Sequence, residues 1–81
     1  MVIITTGAAV INFVDGEVPS GTINGINSIF NLNFIPISGS LKLYLNGVRL
    51  KNTVDYSYSG NTITMTTIPF TNDLLLSDYR H

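Results

Sequence analysis

Five carboxylates, one histidine and four tyrosines are the side chains in this 81-residue sequence from which bond-making chemistry could be built. The histidine is His81, at the very end. Cysteine is absent, so disulfides and thiolate metal sites are excluded. A Ser-His or Cys-His nucleophilic pair needs a base held inside a fold, and a terminal histidine is poorly placed for it. A metal site would have to be assembled from Asp15, Glu17, Asp55, Asp73 and Asp78, whose spacing is not that of a calcium loop. The remaining enzymatic option is a carboxylate pair of the glycosidase type, with Asp55 and Asp73 as candidates. Both lie beside turn residues, where an aspartate commonly accepts from nearby backbone N–H groups. No helix is expected after any of the glycines at 16, 21, 25, 47 or 60, so none opens a phosphate loop. The sequence therefore reads as a non-enzyme without cofactor or metal.

Composition narrows the partners. The net charge is −1, and Lys42, Arg49, Lys51 and Arg80 are the whole cationic supply. That is too little for a nucleic-acid surface. Charged residues make up 11% of the chain, against roughly 25% in average globular proteins. Asn, Ser and Thr carry the polarity instead, which suits neutral polar ligands such as sugars and contacts with other proteins. No apolar run reaches the roughly 18–20 residues of a membrane span, and "MVIITTGAAVINFV" has no basic leader. Neither a signal peptide nor membrane insertion is expected. A chain this short is marginally stable alone. Without disulfides or a metal, association with copies of itself or with a larger assembly is the remedy left.

The candidate residues need elements to hold them, and the alternation supplies strands. "LKLYLNGVRL" places Leu41, Leu43 and Leu45 on one face and Lys42 and Tyr44 on the other. Asn46-Gly47 is the favoured pair for a type I′ turn, since both central positions need positive φ. A two-residue loop sets Leu45 opposite Val48 and Leu43 opposite Leu50. A second hairpin runs from Val54 through Tyr56 and Tyr58, turns over Ser59-Gly60-Asn61 as a three-residue loop, and returns through Ile63 and Met65. Ile29 to Phe34 reads as a half-buried strand with Phe30, Leu32 and Phe34 inward and Asn31 and Asn33 outward. Leu74 to Tyr79 is a last strand with leucine on both faces, either covered on both sides or paired at an oligomer seam. "DGEVPSGTINGIN" is turn-rich, with a short strand at Thr22-Ile23. Strands about ten residues apart, separated by turns, predict an all-β fold: an antiparallel β-sandwich or small barrel built from short hairpins.

The candidate ligand or partner contacts are Tyr44, Lys42, Arg49, Asn31 and Asn33, which fall on the faces opposite the apolar ones; Tyr44 is either exposed for contact or buried under a second layer. The wider set of loop asparagines (Asn24, Asn27, Asn61, Asn72) favours a saccharide as an alternative ligand. Asn46, Gly47, Gly60 and Asn61 define the turns. Ile11, Phe13, Leu75 and Tyr79 are the candidate oligomer seam. Residues 1–18 read as an N-terminal arm for oligomerisation or docking, and 19–81 as the sandwich module.

Four stretches, "PSGTINGINSIFNL", "IPISGSLKLYLNGVRL", "VDYSYSGNTITM" and "IPFTNDLLLSDYR", follow one another in an order that resembles a small β-module of bacteriophage tail and virion proteins. The module is similar to the shoulder domain of trimeric receptor-binding proteins of siphophages. The resemblance spans Pro19 to Arg80 and leaves the arm outside. It implies a β-sandwich, a homotrimer, and a structural or adsorption-linked role at the tail tip. The implied partners are other phage tail proteins, with host cell-wall saccharide as the alternative. The implied location is the virion tail, after synthesis in the host cytoplasm. The shared residues are those that form the fold, so the resemblance carries a fold more directly than a ligand.

Overall fold

The structure is a computed structural model that describes residues 10–81. Seven strands follow in chain order: β1 (Phe13–Glu17), β2 (Ile29–Asn31), β3 (Lys42–Leu45), β4 (Val48–Arg49), β5 (Tyr56–Ser59), β6 (Thr62–Met65) and β7 (Leu75–Arg80). They form two antiparallel sheets, one ordered β1-β7-β3-β4 and the other β2-β6-β5. One core joins them: Leu43, Leu75 and Tyr79 from the first sheet, with Leu41 just before β3, meet Phe30, Tyr56, Ile63 and Met65 from the second, with Leu32 just after β2. Two sheets sharing a core make a β-sandwich.

The first hairpin forms as its sequence dictates. Leu45 pairs with Val48 and Tyr44 with Arg49. The Leu50 N–H donates to the Leu43 carbonyl at 2.8 Å, which continues the register. Asn46 (φ 52°) and Gly47 (φ 83°) both sit in the left-handed region that a type I′ turn requires. The Asn46 side chain then reaches across the sheet. Its Oδ1 accepts from the Leu74 N–H at 2.8 Å and its Nδ2 donates to Asp73 at 3.0 Å. One residue thus closes the hairpin and anchors the entry to β7.

The second hairpin is tighter than expected. Ser59 pairs with Thr62, so the loop has two residues, not three. Gly60 takes φ 58° at the first central position, as a type II′ turn demands. Asn61 is therefore free to serve another strand: its Nδ2 donates to the Leu32 carbonyl at 3.0 Å. Val54 falls outside β5, because the Asp55 carboxylate accepts from the Lys51 N–H at 2.8 Å and holds residues 51–55 in a turn.

The segment before β2 holds no strand at Thr22-Ile23. Asn24 Oδ1 accepts from the N–H groups of Ile26 (2.9 Å) and Asn27 (2.8 Å), an Asx turn that competes with extension. Upstream, the backbone at Gly21 (φ 147°) passes so close to Phe30 that a Cβ there would lie 2.5 Å from the ring.

Part of the N-terminal arm belongs to the sandwich. β1 pairs with β7, Phe13 opposite Arg80 and Val14 opposite Tyr79. Two bonds of 2.9 and 3.0 Å between Asn12 and His81 extend the ladder. A bulge follows Val14. There the Asp78 carboxylate accepts from the Gly16 N–H at 2.7 Å, which occupies an amide the bulge would otherwise leave unpaired. Residues 1–9 lie outside the described residues, so half of the expected arm does too.

Candidate functional site

β7 is an inner strand of its sheet, between β1 and β3. Leu75, Ser77 and Tyr79 are buried against the second sheet, while Leu76 and Asp78 on the other face are half-buried. Two of the four seam candidates, Leu75 and Tyr79, are thus core residues of the protomer with no surface to offer a second copy. The other two, Ile11 and Phe13, are exposed, Phe13 at 71%.

Sheet order explains which contact candidates meet. Lys42 pairs with Asp78, Tyr44 with Leu76 on one side and Arg49 on the other. Lys42 and Tyr44 therefore lie on the outer face of the four-stranded sheet, Arg49 beside Tyr44 at its edge. At the opposite edge the Arg80 guanidinium lies 5.5 Å from the centre of the Phe13 ring, within cation–π range. A shallow cavity of about 230 Å³ opens over this face between Phe13, Lys42, Asp78 and Arg80. Asn31 is elsewhere. It belongs to the second sheet, where its Oδ1 accepts from the Thr62 hydroxyl at 3.1 Å. Asn33 follows β2 and is exposed; its backbone N–H donates to Glu17 at 2.9 Å.

The loop asparagines are largely engaged within the protein. Asn27 Nδ2 donates to the carbonyls of Thr22 (3.1 Å) and Ile29 (2.8 Å), Asn24 accepts from its neighbours Ile26 and Asn27, and Asn61 donates to Leu32. The two aspartates weighed for catalysis have similar duties. Asp55 holds the 51–55 turn, and Asp73 accepts from the Phe70 N–H at 2.8 Å. Asn46 and the Phe70 N–H together lower the Asp73 pKa, against a smaller opposing effect of desolvation. Among the described residues no group of three or more His, Asp and Glu is placed to hold a metal ion.

A larger cavity of about 420 Å³ opens beside β4, with walls drawn from both sheets. It is lined by Gly39, Leu41, Arg49, Leu50, Lys51, Asn52, Tyr56 and Tyr58. The sequence pointed to Arg49 but not to this site, because Tyr56 and Tyr58 alternate as ordinary inward strand residues. Tyr56 is indeed 98% buried. Yet its hydroxyl has no hydrogen-bond partner among the described residues, whereas no fully buried side-chain nitrogen or oxygen there lacks one. Tyr56 nonetheless lines the cavity. Burial raises the Tyr56 pKa, the neighbouring Tyr58 adds to the rise, and the Arg49 charge opposes it.

A third cluster gathers around Tyr79. Its hydroxyl donates to Glu17 Oε1 at 2.6 Å and accepts from the Phe34 N–H at 3.2 Å. These bonds turn the chain out of β2 before Phe34. That is why Phe34 is not the third inward residue of a strand but stacks on His81, ring centres 3.9 Å apart. The result is an apolar end of the sandwich around the last residues of β7, with Phe13 opposite Arg80, Phe34 on His81, and the Ile37 N–H bonded to the Arg80 carbonyl at 2.7 Å. No family model, no curated protein and no solved structure matches this chain.

Proposed function

We propose that this chain is a β-sandwich module of a bacteriophage tail tip, acting by self-association and by docking to other tail proteins. The observation that carries the self-association is an excess of apolar surface. Among the described residues nine hydrophobic side chains form the core, while thirteen large ones are exposed. Isolated exposed hydrophobics are ordinary, but contiguous ones mark interaction surfaces. Ile11, Phe13, Phe34, Ile35 and Ile37 are all exposed, and the bonds above tie three of them to the last residues of β7. β1 is also an edge strand, with one side of its backbone unpaired within its sheet. The tail-tip assignment rests on the resemblance of Pro19–Arg80 to virion β-modules.

Light scattering after size exclusion at micromolar concentration tests the association. A homotrimer of the 8.8 kDa protomer is expected. A monomer at 8.8 kDa would overturn the self-association. Mass spectrometry of purified particles tests the setting: peptides of this chain should copurify with tails.

A second reading is contact with a host cell-wall saccharide. The cavity beside β4, with two tyrosines and two cations on its walls, favours it.

A further inference from the structure

The cavity beside β4 has a composition that selects among ligands. Its walls carry the two cations Arg49 and Lys51 and no carboxylate. This is notable in a chain with a net charge of −1 and only four basic residues. The nearest acid in sequence, Asp55, has one carboxylate oxygen on the Lys51 backbone N–H, and its other faces the Thr67 hydroxyl at 3.4 Å. Tyr56 lines the cavity although it is almost wholly buried, and its hydroxyl has no hydrogen-bond partner among the described residues. A phenol held this way by the core is pre-positioned, so a ligand group that bonds to it costs little further ordering. Tyr58 and Asn52 add groups that both donate and accept. Leu41 and Leu50 provide an apolar wall. The volume of about 420 Å³ lies within the range of small-molecule sites.

Each feature constrains the occupant. Two cations without a carboxylate favour an anion. Phenols and an amide, each able to give and take a hydrogen bond, match hydroxyl groups, which do the same. The half-buried Tyr58 ring and the leucines suit the C–H face of a sugar ring. We infer that this cavity is a binding site for an acidic saccharide, a sugar bearing a carboxylate or phosphate, with Arg49 and Lys51 meeting the anion and the Tyr56 hydroxyl meeting a sugar hydroxyl. The inference rests on the saccharide reading and adds to it the place and the charge. It is independent of self-association: the cavity lies beside β4, at the edge of the sheet opposite β1.

Titration calorimetry on the full chain tests it with five probes: glucuronic acid, glucose 6-phosphate, glucose, inorganic phosphate and triglutamate. Binding of one or both acidic sugars is expected, at least about tenfold tighter than glucose, as charge-assisted bonds are the stronger ones. Glucuronic acid against glucose 6-phosphate identifies the anion. Arg49→Gln should weaken that binding about tenfold and make it less sensitive to salt. Tyr56→Phe keeps the ring in the core and should weaken binding of the same sugar several-fold, with the melting temperature unchanged because the hydroxyl makes no hydrogen bond among the described residues. Glucose binding as well as the acids would overturn the charge assignment and leave the saccharide reading standing. Triglutamate or inorganic phosphate binding as tightly as the acidic sugars would overturn the saccharide reading itself. No binding of any sugar at millimolar concentration would overturn both. Undiminished binding by both variants, each with a wild-type melt, would move the site away from this cavity.

Discussion

The Tyr79 hydroxyl donates to the Glu17 carboxylate at 2.6 Å, joining β7 to β1 across 62 residues of sequence. Glu17 completes the tie twice more: its other carboxylate oxygen accepts from the Asn33 N–H at 2.9 Å, and its carbonyl accepts from the Ser77 hydroxyl at 2.9 Å. Three segments distant in sequence, β1, the end of β2 and β7, are thus held by one acidic residue. The Tyr79 phenol is pushed up to about 12, first by burial and then by the hydrogen bond to Glu17.

Alkaline pH should therefore loosen the fold through Tyr79. The folded state favours the neutral phenol, whose ordinary pKa is 10.0. A raised pKa means the stabilising effect is complete below pH 10 and is lost as pH rises through about 12. Thermal melts between pH 9 and 12 should show a falling midpoint. Tyr79→Phe should lower stability at neutral pH by about 1–2 kcal/mol, for loss of a bond to a charged acceptor, and should flatten that alkaline decline. A variant that declines as steeply as wild type would contradict the assignment.

Gly21 should tolerate no side chain. A Cβ at this position would meet the Phe30 ring at 2.5 Å and the Ile29 carbonyl at 3.0 Å, in a backbone conformation that L residues rarely adopt. Phe30 is fully buried and has little room to give. Gly21→Ala should cost about 1–3 kcal/mol from overpacking in addition to backbone strain. Gly39, also at positive φ, has nothing within 4 Å of its Cβ position. Gly39→Ala should cost only the backbone part, about 1–2 kcal/mol. Denaturant melts of the two variants separate the contributions, and equal losses would argue against a clash with Phe30.

Asn46 should matter more than its exposed position suggests. Asn46→Ala removes the turn residue, the acceptor for Leu74 and the donor to Asp73. The Asp73 pKa is lowered chiefly by that donor. Its contribution to stability is therefore present above the ordinary carboxylate value and lost as pH falls through the depressed one. In the variant, Asp73 should titrate closer to an ordinary aspartate, a shift that carboxyl NMR can follow. Gly47→Val tests the turn alone and should cost about 1 kcal/mol or more, since a β-branched residue resists positive φ.

Phe13→Asp should separate association from folding. The ring is 71% exposed and packs mainly under Arg80. The melting temperature measured at the lowest workable concentration should change little, while the scattering mass at micromolar concentration should fall toward the protomer's. A variant that associates like wild type would place the interface away from β1.

Local pattern and tertiary structure divided the work between them. Alternation from Leu41 to Leu50 and the Asn46-Gly47 pair settled the first hairpin, its faces and its register, because every pairing partner lies within ten residues. The same reasoning placed Phe30 and Leu32 inward and set the all-β class. Alternation marks two faces of a strand without saying which neighbour covers each. For β7, with leucine on both, only packing against the second sheet decided that Leu75 and Tyr79 are core rather than seam. The cavity likewise needed Arg49 from one sheet and Tyr56 from the other, and nothing in either hairpin alone sets that meeting. Side-chain capture of backbone groups, Glu17 at Asn33 and Tyr79 at Phe34, ended β2 early for the same reason: the bonds are strong, but their partners lie 16 and 45 residues apart. The chain itself determined ribbons and corners. The order in which the ribbons lie side by side, and so every contact between distant side chains, came from packing two sheets around one small core.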